Sequence, residues 1–136
     1  MVMPLILKNL LEEVGINSFR LAFFLHIPFP SWDVFRLNPW AHDILLGLLG
    51  CDLIGFLTNT YALNFLECCF RVLGAPIDRS ELLVEYGNKT IVVRALPIGI
   101  PYDWFEKMAR ESSKPFEFKE KVILGVDRLD YTKGII

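Results

Sequence analysis

The chain has 136 residues, enough for about one domain and too few for a large two-domain enzyme. Apolar residues make up 53% and charged residues 22%, with a mean hydropathy of +0.39, which excludes a disordered chain. Lys+Arg number 14 against 16 Asp+Glu, a net charge of −2, so the basic excess of a nucleic-acid binder is missing.

Residues 3–14 carry Leu5, Ile6, Leu10, Leu11 and Val14 at helical spacing, with Pro4 suited to the first turn and Gly15 to the stop. Lys8, Glu12 and Glu13 fall on its solvated face, and no charged n-region or small-residue cleavage site of a secretory signal is seen. Residues 18–27 read as a strand buried on both faces, which Pro28 and Pro30 end near His26. Asn38-Pro39 reads as the cap and first residue of a helix running to Gly50. The apolar stretch 44–57 is broken by Asp52 and is shorter than the roughly 17–25 residues a bilayer span needs.

Within that stretch, 52–57 is a short buried strand. Thr58 or Asn59 caps the next helix, whose apolar stripe of Leu63, Phe65, Leu66, Cys69, Val72 and Leu73 closes at Gly74. Residues 82–86 and 90–95 flank Gly87-Asn88-Lys89 as paired strands. A further helix starts at Pro101 and fades near Glu111; 112–120 is the best linker candidate, and 121–126 reads as one more fully buried strand feeding a polar loop. Cys51, Cys68 and Cys69 are odd in number and lack metal-ligand spacing, so free thiols in a reducing, cytoplasmic compartment are expected.

Helices alternating with short apolar strands indicate an α/β architecture with a mostly parallel sheet. Ligands of such sheets bind beyond the carboxyl ends of the strands, and two polar loops leave buried strands there: 26–30 and 127–134. His26 can contact a ligand hydroxyl or oxyanion, or be a half-buried histidine satisfied by a carbonyl. Arg128 and Lys133 share a turn with Thr132 and Gly134; a guanidinium fork and a mobile ammonium suit a diphosphate, or they pair with Asp127 and Asp130. Trp32, Trp40 and Trp104 suit packing better than sugar stacking. Asp33, Asp43 and Asp52 have no partner carboxylate at a telling spacing.

Four ordered blocks carry a resemblance: His26-Ile27-Pro28-Phe29-Pro30, Asp52-Leu53-Ile54-Gly55-Phe56, Pro97-Ile98-Gly99-Ile100, and the run 125–135 (GVDRLDYTKGI). Together they resemble the trehalose-6-phosphate synthase family, glycosyltransferases of the GT-B fold with two Rossmann-like domains. The resemblance implies that 1–111 is the back part of the first domain, 112–120 a linker, and 121–136 the first strand and loop of the second, donor-binding domain. It implies a retaining transfer of glucose from UDP-glucose to glucose 6-phosphate, giving trehalose 6-phosphate and UDP, with no metal or other cofactor required.

By motif, His26 matches the family histidine that contacts the donor glucose. Arg128 and Lys133 match the pair that grips the donor diphosphate and stabilises it as it leaves. The expected partners are UDP-glucose and glucose 6-phosphate, with no nucleic acid and no membrane, and a homo-oligomer as the assembly to consider. The family's other acceptor and donor contacts would precede Met1 or follow Ile136, so the isolated chain is expected to be inactive. Leu57 departs from the polar residue many members carry there. Two alternatives stand beside this reading: a non-catalytic short form acting as an interaction module, and a sister GT-B enzyme with another phosphorylated acceptor.

Overall fold

The computed structural model describes residues 3–16, 18–112, 121–123 and 125–126. It divides into two compact units, Met1–Gly99 and Ile100–Ile136.

The first unit holds helix α1 (Met3–Glu13), strand β1 (Ala22–Leu25), α2 (Trp32–Phe35), α3 (Ala41–Leu48), β2 (Leu53–Phe56), α4 (Asn59–Leu73), β3 (Ile77–Asp78), β4 (Leu83–Tyr86) and β5 (Lys89–Ala95). The strands form one sheet in the order β1-β2-β5-β4-β3. β1, β2 and β5 are parallel neighbours, β4 runs against β5, and β3 against β4, so every strand except β4 points the same way. The β4–β5 hairpin turns at Gly87, whose φ of 61° suits the first position of a two-residue turn and would strain a side-chain-bearing residue.

Because side chains alternate along a strand, the register sorts the sheet into two faces. Leu25, Phe56 and Ala95 share one face with Phe23, Ile54 and Val93. On it, Ile54, Phe56, Val84, Ile91 and Val93 are fully buried beneath α4, which contributes Ala62, Phe65, Leu66, Cys68 and Cys69. α2 and α3 pack against α4, and α1 against α3.

α4 starts where expected: Thr58 Oγ1 accepts from the Tyr61 N–H at 3.3 Å, and Gly74 ends the helix at φ 64°. The three cysteines are free and buried, and burial pushes the thiols up, Cys51 to about 11, Cys68 to about 12 and Cys69 further. Among the described residues no helix is long and apolar enough to cross a membrane.

Several expectations change. β1 is not buried on both faces: Ala22 is exposed and Phe23 and Phe24 are half-buried, because β1 is the edge of the described sheet. An apolar run reports affinity for burial, not which side is covered. α3 begins at Ala41 rather than Pro39, because Asn38 Oδ1 accepts from the Trp40 N–H at 3.0 Å and its carbonyl accepts from Ala41 N–H at 3.1 Å. The asparagine thus closes a turn ahead of the helix. α2 and β3 were not anticipated, being too short to show a period. Of 121–126, the described residues carry no regular structure and Ile123 is 98% exposed; no strand pairs with them among the described residues.

The second unit contains α5 (Tyr102–Glu111), whose Trp104 and Phe105 rings meet edge to face at 4.8 Å. All but the first residue of the proposed linker 112–120, and the whole loop 127–134, lie outside the described residues.

Candidate functional site

The parallel strands β1, β2 and β5 end at one sheet edge in matched register, Leu25 beside Phe56 beside Ala95. The residues that follow are His26, Leu57 and Leu96, and the Leu96 N–H continues the ladder by donating to the Phe56 carbonyl at 2.7 Å. α4 opens at the same edge behind Thr58. This is the carboxyl edge at which open α/β sheets bind ligands.

His26 stands on that edge, exposed to solvent, with its ring 4.7 Å from the Phe24 ring at an interplanar angle of 66°. The imidazole finds no hydrogen-bond partner among the described residues. It is exposed rather than half-buried, and no described residue offers it a carbonyl.

The loop that carries it is pinned from the covered side. Phe29 is only 2% exposed and packs against Phe35, Phe56 and Phe65 with ring centroids 5.0, 5.7 and 5.4 Å away. Asn64 Nδ2 of α4 donates to the Phe29 carbonyl at 3.1 Å. Pro28 and Pro30 have no N–H to join a ladder, so the segment leaves the sheet as a loop held by one aromatic plug and one amide. Neither brace was singled out from sequence. Asn64 gave no local signal, since Thr60, Glu67 and Arg71 at helical spacing from it are polar as well.

Arg128 and Lys133 lie outside the described residues. Asp52 is placed at the opposite end of the strands. Asp52 Oδ2 accepts from the Leu21 N–H at 2.7 Å and its Oδ1 is 3.9 Å from Lys89 Nζ, a brace at the amino ends of β1 and β2. Lys89 also donates to the Gly50 and Cys51 carbonyls at 3.0 and 2.8 Å. Burial, and then the neighbouring Lys8 charge, hold its ammonium below the usual lysine range. A groove of about 520 Å³ between Lys8, Leu49, Tyr86 and Lys89 lies at this amino end, opposite the carboxyl edge.

His42 pairs with its neighbour Asp43 at 3.4 Å on the surface. The Trp32 ring has the Arg71 guanidinium 5.6 Å from its centroid, and Trp40 is exposed. Among the described residues no group of three His, Cys, Asp or Glu is arranged to hold a metal ion.

The sequence pattern of glycosyltransferase family 20 matches the chain over residues 1–136. The chain belongs to glycosyltransferase family 20. It is 41% identical over 143 aligned residues to an alpha,alpha-trehalose-phosphate synthase [UDP-forming] of Aspergillus niger, covering 99% of this chain and 29% of the relative.

Two solved structures share its fold. The N-terminal domain of a Candida albicans trehalose-6-phosphate phosphatase superposes with a TM-score of 0.67 at 40% identity, covering 79% of this chain and 22% of that one. An E. coli trehalose-6-phosphate structure bound with UDP-2-fluoro glucose superposes with a TM-score of 0.68 at 31% identity, covering 82% and 24%. The α/β sheet is thus that of the GT-B trehalose-phosphate synthases, and the chain spans less than a third of the relatives it matches.

Proposed function

We propose that the chain supplies part of a UDP-glucose-dependent trehalose-6-phosphate synthase: the back of the first Rossmann-like domain (1–111), a linker (112–120), and the opening strand and loop of the donor-binding domain (121–136). The observation that carries this is a family match over the whole chain combined with an exposed His26 at the carboxyl edge of the parallel strands. Three free, buried thiols fit a cytoplasmic setting.

In this reading the bond from the anomeric carbon to the diphosphate oxygen breaks, and the electron pair leaves with UDP. Arg128 and Lys133 stabilise the charge that grows there, a role in which a cationic clamp can replace a metal ion. The glucose 6-phosphate hydroxyl attacks from the same face and gives its proton to the departing phosphate, so configuration is retained. His26 orients the donor sugar and forms no covalent bond. Its loop is held at Phe29 and Asn64, which keeps that geometry in place before the ligand arrives.

The test replaces the matching segment of the Aspergillus relative with this chain and measures UDP release. The chimera is expected to turn over with glucose 6-phosphate, and the isolated 136 residues are not. Arg128→Ala in the chimera is expected to cost roughly 2–4 kcal/mol of transition-state stabilisation, about 30- to 900-fold in kcat/KM. His26→Ala is expected to raise the KM for UDP-glucose with the melting temperature unchanged. Unchanged kcat/KM in the Arg128 variant removes that residue from the mechanism.

A second reading has one observation in its favour. The Candida neighbour is the N-terminal domain of a trehalose-6-phosphate phosphatase, so this sheet also occurs in a protein named for another activity. A chimera that folds and releases no UDP supports that non-catalytic reading.

A further inference from the structure

Gly55 lies in the interior of β2, in register with Phe24 on β1. Glycine is a poor strand residue, having the most backbone freedom to lose and nothing to pack, and its presence there often marks a close approach. Here the approach is visible. A Cβ added at Gly55 would lie 2.6 Å from Phe24 Cδ2 and 3.0 Å from Leu96 Cδ1. The Leu96 methyl can swing aside, whereas the Phe24 atom is next to the root of a rigid ring. Room for that ring therefore depends on the missing side chain, and Gly55 is buried beneath it.

Phe24 and His26 are two residues apart and share a strand face, and the Phe24 ring meets the imidazole at 4.7 Å. The contact is edge to face, so a displaced phenyl ring takes away the surface against which the imidazole rests. We propose that Gly55 is a positioning residue for His26: its bare α-carbon lets the Phe24 ring lie across β2, and that ring sets the orientation of the imidazole at the carboxyl edge. The consequence for donor binding rests on the function proposed above; the placement of the ring does not.

The experiment reads the imidazole directly. In proton–carbon spectra of the histidine-labelled 136-residue chain, the exposed His42 serves as an internal reference for His26. Gly55→Ala is expected to move the His26 ring signals and leave those of His42 in place. Phe24→Leu, which removes the ring and keeps the glycine, is expected to bring the His26 signals towards those of His42. Combining the two substitutions is expected to give the same His26 signals as Phe24→Leu alone, since the leucine methyls can turn away from the alanine as a rigid ring edge cannot.

Unmoved His26 signals in folded Phe24→Leu overturn the proposal. So does a double variant in which the alanine still shifts His26 without the phenyl ring; this variant decides the matter if Gly55→Ala alone does not fold. Failure of the functional reading shows elsewhere, as an unchanged donor KM in the His26→Ala chimera.

Discussion

The two faces of the sheet in the first unit differ in how they are closed. On one, Ile54, Phe56, Ile91 and Val93 are sealed beneath α4, and the loop after β1 adds Phe29 to the same core. On the other, Phe24, Leu53, Leu83 and Val92 are half-buried and Ala22 and Arg94 are exposed. Both faces are largely apolar in sequence, so composition says how much surface favours burial and the register says which part of it has been covered. His26 and Phe24 belong to the open face, and the braces that hold their loop, Phe29 and Asn64, belong to the closed one. This edge therefore joins a fixed support to an accessible surface.

The sharpest way to break this contrast is to cut equivalent positions on the two faces. Phe56→Ala removes a fully buried ring that touches Phe29 and Phe65, and is expected to cost about 3–5 kcal/mol. Leu53→Ala, on the same strand but the open face, is expected to cost about 1 kcal/mol. Urea unfolding midpoints at constant m-value measure both. Equal losses would mean that the second face is as tightly packed in solution as the first.

Between those extremes lies the amide that reaches from the closed face to the loop. Asn64→Ala removes the donor to the Phe29 carbonyl and leaves that partly buried oxygen to find water. About 1–2 kcal/mol of stability is expected to be lost. Phe29 remains plugged among its aromatic neighbours, so hydrogen exchange should speed up around 26–30 and stay unchanged in β5. Uniform acceleration across the sheet would show that Asn64 supports the whole core rather than the loop.

What was legible from sequence follows the same division. α4, β2, the β4–β5 hairpin and α5 were readable from different signals: Thr58 and Gly74 at the ends of α4, a short apolar run at β2, Gly87 in the hairpin turn, and Pro101 ahead of the spacing of Trp104, Phe105 and Met108 in α5. β1 was placed correctly but its burial was overstated, since Leu21 to Leu25 are equally apolar whether one face is covered or two. Asn38 looked like a helix cap and instead closes a turn, a choice made by where Trp40 and Ala41 must go.

At the site, His26 was legible from the strand ending in prolines. Gly55 stands in the Asp52–Phe56 block, and its packing role depends on Phe24, far earlier in the chain, which no local pattern reveals. The assignment of Arg128 and Lys133 came from family resemblance, and the structure does not describe those residues.

The smallest expected effect concerns the roof of the closed face. Glu67 on α4 bridges Arg71, one turn on, and Arg79 in the turn after β3, while Arg71 also stacks over Trp32 of α2. The hydrogen bond from Arg71, with the charges of both arginines, holds the Glu67 carboxyl below its usual value of 4.5. A carboxylate whose pKa is depressed by folding adds stability that is complete above the unfolded value. That stability disappears as pH falls through the lower, folded one.

Surface pairs of this kind seldom contribute more than about 1 kcal/mol, and salt weakens them further. Glu67→Gln removes the charge and keeps one acceptor oxygen, so it retains the bond to one arginine and gives up the bond to the other. The wild-type melting temperature is expected to exceed that of Glu67→Gln near neutrality, with the gap narrowing below about pH 4.5 and shrinking in high salt. A gap that persists unchanged into acid would assign the loss to packing of the helix roof rather than to its ion bridge.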